Sequence, residues 1–91
     1  MKDGKYLPIG TIVQLYGQNR PIIIVGYLPE CDGEAYDYEG YPYPEGFIGE
    51  DKSICFTAGL IDKIIFMGYE TQEGKYFVDE LMSKVGKILG D

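Results

Sequence analysis

The side chains that could carry chemistry in this chain are carboxylates between positions 32 and 45, namely Asp32, Glu34, Asp37, Glu39 and Glu45. Hydrolysis by paired carboxylates needs one neutral and one ionised group in different environments, and the neighbouring residues set no such difference. The first four also lack the spacing of an EF-hand calcium loop. We therefore interpret them as a solvated acidic surface and expect no metal site.

Nucleophilic catalysis is also poorly supported by the residue types present. The chain has no histidine, the commonest general base. Ser53, Thr57 and Ser83 consequently have no imidazole to activate them, and no G-x-S-x-G turn is present. No glycine cluster precedes a lysine with phosphate-loop spacing. We predict that the protein is not an enzyme and uses no cofactor.

The two cysteines, Cys31 and Cys55, are single and far apart. They do not form the paired spacing of a structural zinc site. The two cysteines could either form a disulfide with each other or remain as two reduced thiols. We expect the reduced thiols, because disulfides are rare in cytosolic proteins.

A tyrosine- and proline-rich segment, residues 36–49, is the most distinctive part of the sequence. Tyrosine gives large, rigid, amphipathic contact area and is enriched at the anchors of protein interfaces. We predict a partner-binding surface with a charged rim. Its residues are Tyr36, Tyr38, Tyr41, Tyr43 and Pro44, with Asp37, Glu39 and Glu45 as the rim. The alternative is that two or three of these tyrosines pack in the core.

The length and charge of the chain bound its organisation and its partners. Ninety-one residues form one domain, 1–91. The net charge of −7 disfavours nucleic acids and anionic membranes. Since no apolar run would span a membrane and the first residues lack the apolar core of a signal peptide, we expect a cytoplasmic protein. The oligomeric state stays open.

Several short strands must position these residues. Residues 11–16 alternate, with Thr11, Val13 and Leu15 on one face. Residues 21–27 are β-branched and apolar on both faces, which predicts a central strand packed on two sides and paired with the first as a hairpin. Further strands are predicted at 36–41, 53–56 and 64–69, with a turn at 32–33 and a helical turn from Thr57 through 60–63.

The chain ends in a predicted amphipathic helix over residues 75–89. Its apolar stripe contains Phe77, Leu81, Val85 and Ile88. The sum is an α+β fold, either a small curled antiparallel sheet of four to five strands or an SH3-like barrel, with the C-terminal helix packed on it or across one open end. In SH3-like barrels aromatic grooves receive extended peptides.

Four segments carry a resemblance to a known family: LPIGTIVQLYG, IIIVGY, YDYEGYPYPEG and IDKIIFMGYE. Together they resemble the family of domain of unknown function 4176. The most specific part is YPEG, residues 43–46. The resemblance extends from Leu7 to about Tyr69, and the predicted helix fits the usual end of the family.

The resemblance implies a context in Gram-positive bacteria, in type VII secretion loci beside toxins that carry an LXG domain. It implies a cytosolic chaperone or targeting factor that binds the toxin, or its linker region, before export. A second hypothesis is an immunity protein that neutralises a toxin domain through its acidic and aromatic face. A third, an enzyme or small-ligand protein, would require a pocket within the packed interior.

Overall fold

The computed structural model describes residues 6–88 and contains seven strands and one α-helix. The strands are β1 (Ile12–Leu15), β2 (Ile22–Tyr27), β3 (Glu30–Cys31), β4 (Glu34–Ala35), β5 (Tyr38–Pro42), β6 (Ile54–Phe56) and β7 (Ile61–Phe66), and the helix is α1 (Gln72–Ile88). Five strands form an antiparallel sheet in the order β6-β5-β2-β1-β7, and β3 and β4 form a small hairpin. The predicted α+β class is confirmed.

The sheet is open, with β6 and β7 as its two edges. Of the two predicted forms, the curled sheet is present and the closed barrel is not. Residues Ala58–Leu60 form a 3-10 turn between the two edge strands, and the backbone N–H of Tyr16 donates to Leu60 O at 3.0 Å. The predicted helical turn therefore ends at Leu60, because the chain then pairs with β1.

The predicted hairpin and central strand are confirmed, since β1 pairs with β2 and β2 is the middle strand. Thr11, Val13 and Leu15 are all buried, as the alternation predicted. Burial of β2 on both faces was a wrong prediction. Ile22 and Ile24 are buried, while Val25, which lies at an irregularity in the pairing with β5, is 44% exposed.

The core lies on one face of the curled sheet, called here the core face. It is formed by Leu7, Val13, Leu15, Ile22, Ile24, Tyr38 and Phe56, with Tyr6, Tyr27, Ile54, Ala58 and Ile61 packed against it. Tyr38 stacks on Phe56 with ring centroids 5.4 Å apart. The ring centroids of Tyr6 and Tyr27 lie 5.2 and 6.1 Å from the ring centroid of Tyr38. This aromatic cluster supplies much of the apolar burial of a small domain.

A polar network around Asp37 ties distant parts of the chain to this core. Its Oδ1 accepts a hydrogen bond from the Tyr6 hydroxyl at 2.6 Å, and its Oδ2 accepts one from the Ala58 backbone N–H at 2.7 Å. The Tyr27 hydroxyl donates to Leu7 O at 2.6 Å, and the Leu7 N–H donates to the Tyr38 hydroxyl at 3.0 Å. These bonds hold the N-terminal segment, which contains Tyr6 and Leu7, across the core.

This network corrects two of the predicted surface residues. Tyr38 is completely buried, so it packs in the core and cannot line a contact surface. Asp37 is partly buried and accepts two structural hydrogen bonds, so it is not a freely solvated rim charge. The alternative that some tyrosines pack in the core is confirmed for Tyr38.

The final strand and the helix both begin earlier than predicted. β7 begins at Ile61, three residues before the predicted strand, and α1 begins at Gln72. Thr71 caps the helix because its Oγ1 accepts the Gly74 N–H at 3.0 Å. The predicted stripe is wrong in phase at its start, since Val78 is buried while Phe77 is 58% exposed. The side chains of Val85 and Ile88, and residue 89 at the predicted end of the helix, lie outside what the structure describes.

The chain passes from β7 to α1 through a close approach to the first strand. The Gly68 N–H donates to the buried Thr11 Oγ1 at 3.0 Å. A Cβ at Gly68 would lie 2.4 Å from Ile9 O, which no side chain tolerates. Glycine is therefore required at this position, and it brings the start of α1 to the N-terminal segment.

Cys31 and Cys55 form a disulfide, so the prediction of two reduced thiols was wrong. The bond joins β3 to the edge strand β6. The β3–β4 hairpin itself turns at Asp32 and Gly33, both with positive φ, which confirms the predicted turn.

We expect reduction of the disulfide to lower the free energy of unfolding by about 3 kcal/mol, because the cross-link restrains a loop of 24 residues in the unfolded chain. Urea unfolding with and without a reductant measures the difference. The double variant Cys31→Ser/Cys55→Ser is the control and should not respond to the reductant. Equal midpoints for the oxidised and reduced wild-type protein would contradict the expectation.

Alkaline pH should destabilise the fold through Tyr6. Burial, followed by the hydrogen bond to Asp37, raises the pKa of the Tyr6 hydroxyl well above its ordinary value of about 10. The folded chain thus holds this proton more tightly than the unfolded chain. The stability that it contributes is intact below pH ~10 and is lost as the pH rises above it.

The Tyr6→Phe variant should be less stable at neutral pH by about 1 kcal/mol, through the lost hydrogen bond, and should lose stability less steeply above pH ~10. Urea unfolding across this pH range gives both quantities. Tyr76→Phe, at an exposed tyrosine on α1, should keep the wild-type profile. If the Tyr6→Phe and wild-type curves ran parallel, Tyr6 would not be the titrating group.

Candidate protein-binding surface

The predicted surface residues separate into three groups in the structure. Tyr43 and Pro44 are exposed in the turn that follows β5, whereas Tyr36, Glu39 and Tyr41 are partly exposed. Asp37 and Tyr38 belong to the core network described above. Within β5, buried Tyr38 and Gly40 alternate with partly exposed Glu39 and Tyr41, as expected for a strand with one buried face.

Tyr41 belongs to a row of apolar side chains that crosses the sheet on the face opposite the core. Residues directly opposite one another in adjacent strands share a face. Phe66 pairs with Ile12, Ile12 with Ile23, and Ile23 with Tyr41. The row thus spans β7, β1, β2 and β5.

Phe47 extends this row beyond the sheet. Its ring packs edge-on against Tyr41 with centroids 5.2 Å apart, yet 62% of the residue remains exposed. We call the continuous surface of Phe66, Ile12, Ile23, Tyr41 and Phe47 the aromatic face. Sequence reasoning found only Tyr41 among these five. The interstrand register, which places the other four beside it, was the missing information.

The turn after β5 is fixed beside the aromatic face by several contacts. The Tyr43 N–H donates to Pro21 O at 2.9 Å, and the Gly46 N–H donates to Pro42 O at 2.7 Å. Gly46 has a φ of 68°, which favours glycine. Glu45 forms an ion pair with Arg20 in the β1–β2 turn. Tyr43, Phe47 and Ile48 are therefore exposed on a turn that is anchored at both ends.

A second apolar region lies between α1 and the N-terminal segment. It is an open groove of about 780 Å³, lined on one side by Leu7, Ile9 and Tyr27 and on the other by Val78 and Leu81. Leu7 also belongs to the core, so the groove opens beside the core. Val78 of α1 is buried, whereas Phe66 and Phe47 of the aromatic face stay 60% and 62% exposed.

Residues 6–88 contain neither a cluster of metal-binding side chains nor a membrane-spanning helix. Among residues 6–88, no three histidine, cysteine or acidic side chains come together as a metal site. No α-helix formed by the described residues is long and apolar enough to cross a bilayer.

Comparison with known proteins gives one match. A family model described as domain of unknown function DUF4176 matches residues 6–77. Neither the curated proteins nor the solved structures contain a significant match. The matched range contains all seven strands, the aromatic face and the first turn of α1. The chain therefore belongs to the family of domain of unknown function DUF4176.

Proposed function

We propose that this protein is a non-enzymatic binding module that holds an exported LXG-type toxin for a type VII secretion system, as a cytoplasmic chaperone or targeting factor. The observation that carries the binding role is the exposed aromatic face. The identity of the toxin partner rests on the family context that the sequence implies.

The aromatic face has the properties of a protein contact surface. Contiguous apolar side chains on a monomer mark interaction sites, whereas scattered ones do not. Here Phe66 and Phe47, at 60% and 62% exposure, border half-buried Ile12, Ile23 and Tyr41. Aromatic residues of this kind, placed at the centre of an interface, commonly contribute most of the binding energy.

The rigidity of the surrounding backbone supports the same role. Four strands and the anchored turn fix the positions of these side chains before a partner arrives. A preorganised surface loses less conformational entropy on binding than a flexible loop does. The Glu45–Arg20 ion pair adds to this order, and its exposure makes it a modest contributor.

The alternative, an immunity protein that acts through its acidic face, has less support. Of the three carboxylates predicted for the rim, Asp37 accepts two hydrogen bonds within the protein and Glu45 pairs with Arg20. Glu39, on the sheet, is the one of the three without a side-chain hydrogen bond or ion pair to another described residue. An apolar contact is therefore favoured over a charge-driven one.

Co-purification with toxin fragments tests the proposal. The tagged protein would be co-expressed with the full-length toxin, with its N-terminal and linker region, and with its catalytic domain. Retention of the N-terminal and linker region is expected for a chaperone. Retention of the catalytic domain alone would favour immunity, and retention of no fragment would overturn both. Binding should be measured with and without a reductant, because a disulfide would be reduced in the cytoplasm.

The double variant Tyr43→Ala/Phe47→Ala should weaken toxin binding about 30-fold, which corresponds to loss of an aromatic hot spot worth ~2 kcal/mol. Both residues are exposed, so thermal unfolding should change little. Tyr76→Ala removes a comparably exposed tyrosine on α1 and should bind as the wild type does. Equal weakening by Tyr76→Ala, or no weakening by the double variant, would show that the contact lies elsewhere.

A further inference from the structure

Edge strand β7 exposes apolar side chains to an unusual degree. Within the described part of the chain, β1 is the one strand that pairs with it, so its other edge is free to accept a strand. Ile64 and Ile65 are 45% and 49% exposed. Natural sheets usually protect such an edge with charges, prolines, β-bulges or a covering element. β7 has a single acidic residue, a single basic residue and two irregularities in its pairing with β1.

The sequence of this edge is chemically symmetrical about its centre. It reads Leu60, Ile61, Asp62, Lys63, Ile64, Ile65. When it is paired antiparallel with a second copy of itself about an axis between Asp62 and Lys63, each charged residue lies opposite its counter-charge. Each aliphatic residue lies opposite an aliphatic residue of the other copy.

The faces of the strand agree with this register. Ile61 pairs with Leu15 and Ile64 pairs with Val13, and both partners are buried on the core face. Ile61 and Ile64 therefore share a face of β7, as directly opposed residues of two antiparallel strands must. The register places Ile61 of each copy opposite Ile64 of the other.

Neighbouring registers are unfavourable. A shift by one residue in either direction places Asp62 opposite Asp62 or Lys63 opposite Lys63, and like charges directly opposite are destabilising. A shift by two places the charged residues opposite aliphatic ones. The pairing with β1 is irregular at Asp62, between Ile61 and Lys63, and at Ile65, between Ile64 and Phe66. The irregularity at Asp62 is what places Ile61 and Ile64, three residues apart, on one face, since such residues lie on opposite faces of a regular strand.

We propose that β7 is a self-association edge, and that two copies of this chain pair through antiparallel β7 strands with Asp62 of each copy opposite Lys63 of the other. The two sheets then form one continuous sheet of ten strands. Phe66 lies at the end of β7, so the aromatic faces of the two copies become neighbours. This inference does not depend on the proposed toxin partner.

The net charge of the chain opposes this association. Each copy carries a charge of −7, so two copies repel over long distances. Salt screens that repulsion, with a Debye length of about 8 Å at physiological ionic strength. The same salt weakens the short-range contact between the paired strands less. Dimerisation should therefore strengthen as salt is raised from low ionic strength.

Sedimentation equilibrium of the full chain, up to about 0.5 mM, tests the association. A concentration-dependent dimer is expected for the wild type, and a monomer throughout this range would overturn the proposal. Asp62→Lys and Lys63→Asp should each raise the dimer dissociation constant about tenfold or more, because each places like charges opposite one another twice. Both residues are exposed, and circular dichroism verifies that the variants fold.

Charge exchange separates this register from any other mode of dimerisation. The double variant Asp62→Lys/Lys63→Asp restores opposite charges and should recover wild-type dimerisation. Mixing the two single variants should yield a heterodimer, because their charges are complementary in this register. Single variants that dimerise as the wild type does, or an equimolar mixture that stays monomeric, would overturn the pairing.

Discussion

The carboxylate of Asp37 is the interaction on which the rest of the fold depends. One oxygen holds Tyr6 of the N-terminal segment, and the other holds the Ala58 N–H in the turn between the two edge strands. These two parts of the chain cover the core face of an open sheet, which would otherwise expose Tyr38 and Phe56 to water. Because the carboxylate is charged and partly buried, loss of either donor costs more than loss of an ordinary surface hydrogen bond.

An open sheet that is covered on one face has consequences for function. The core face receives the N-terminal segment, the aromatic cluster and the turn at Ala58–Leu60. On the opposite face Phe66 and Phe47 stay largely exposed, and α1 lies across the groove from Leu7 and Ile9 of the N-terminal segment. The aromatic face and the free edge of β7 are thus two results of one architectural fact. The free edge would be lost if β6 and β7 closed the sheet into a barrel, because closure pairs the edge strands with each other.

The two surfaces are compatible with each other. A protein partner would contact the aromatic face, from Phe47 through Tyr41 to Phe66. Self-association would use the backbone edge of β7 at residues Ile61–Ile64. A dimer would therefore present two aromatic faces side by side and leave both available to a partner. Two linked sites raise apparent affinity for a partner that can reach both of them at once.

The sequence by itself determined the fold class, the β1–β2 hairpin, the faces of β1 and the existence of the terminal helix, because these depend on local periodicity and turn chemistry. It also singled out residues 36–49, the segment that contains part of the proposed binding surface. Only the tertiary structure decided that Tyr38 is core and Tyr41 is surface. It also decided that Val78 is the helix residue that is buried, and that Cys31 meets Cys55. The physical reason is that these outcomes depend on which strands become neighbours and in what register, and register is set by contacts between residues far apart in the chain.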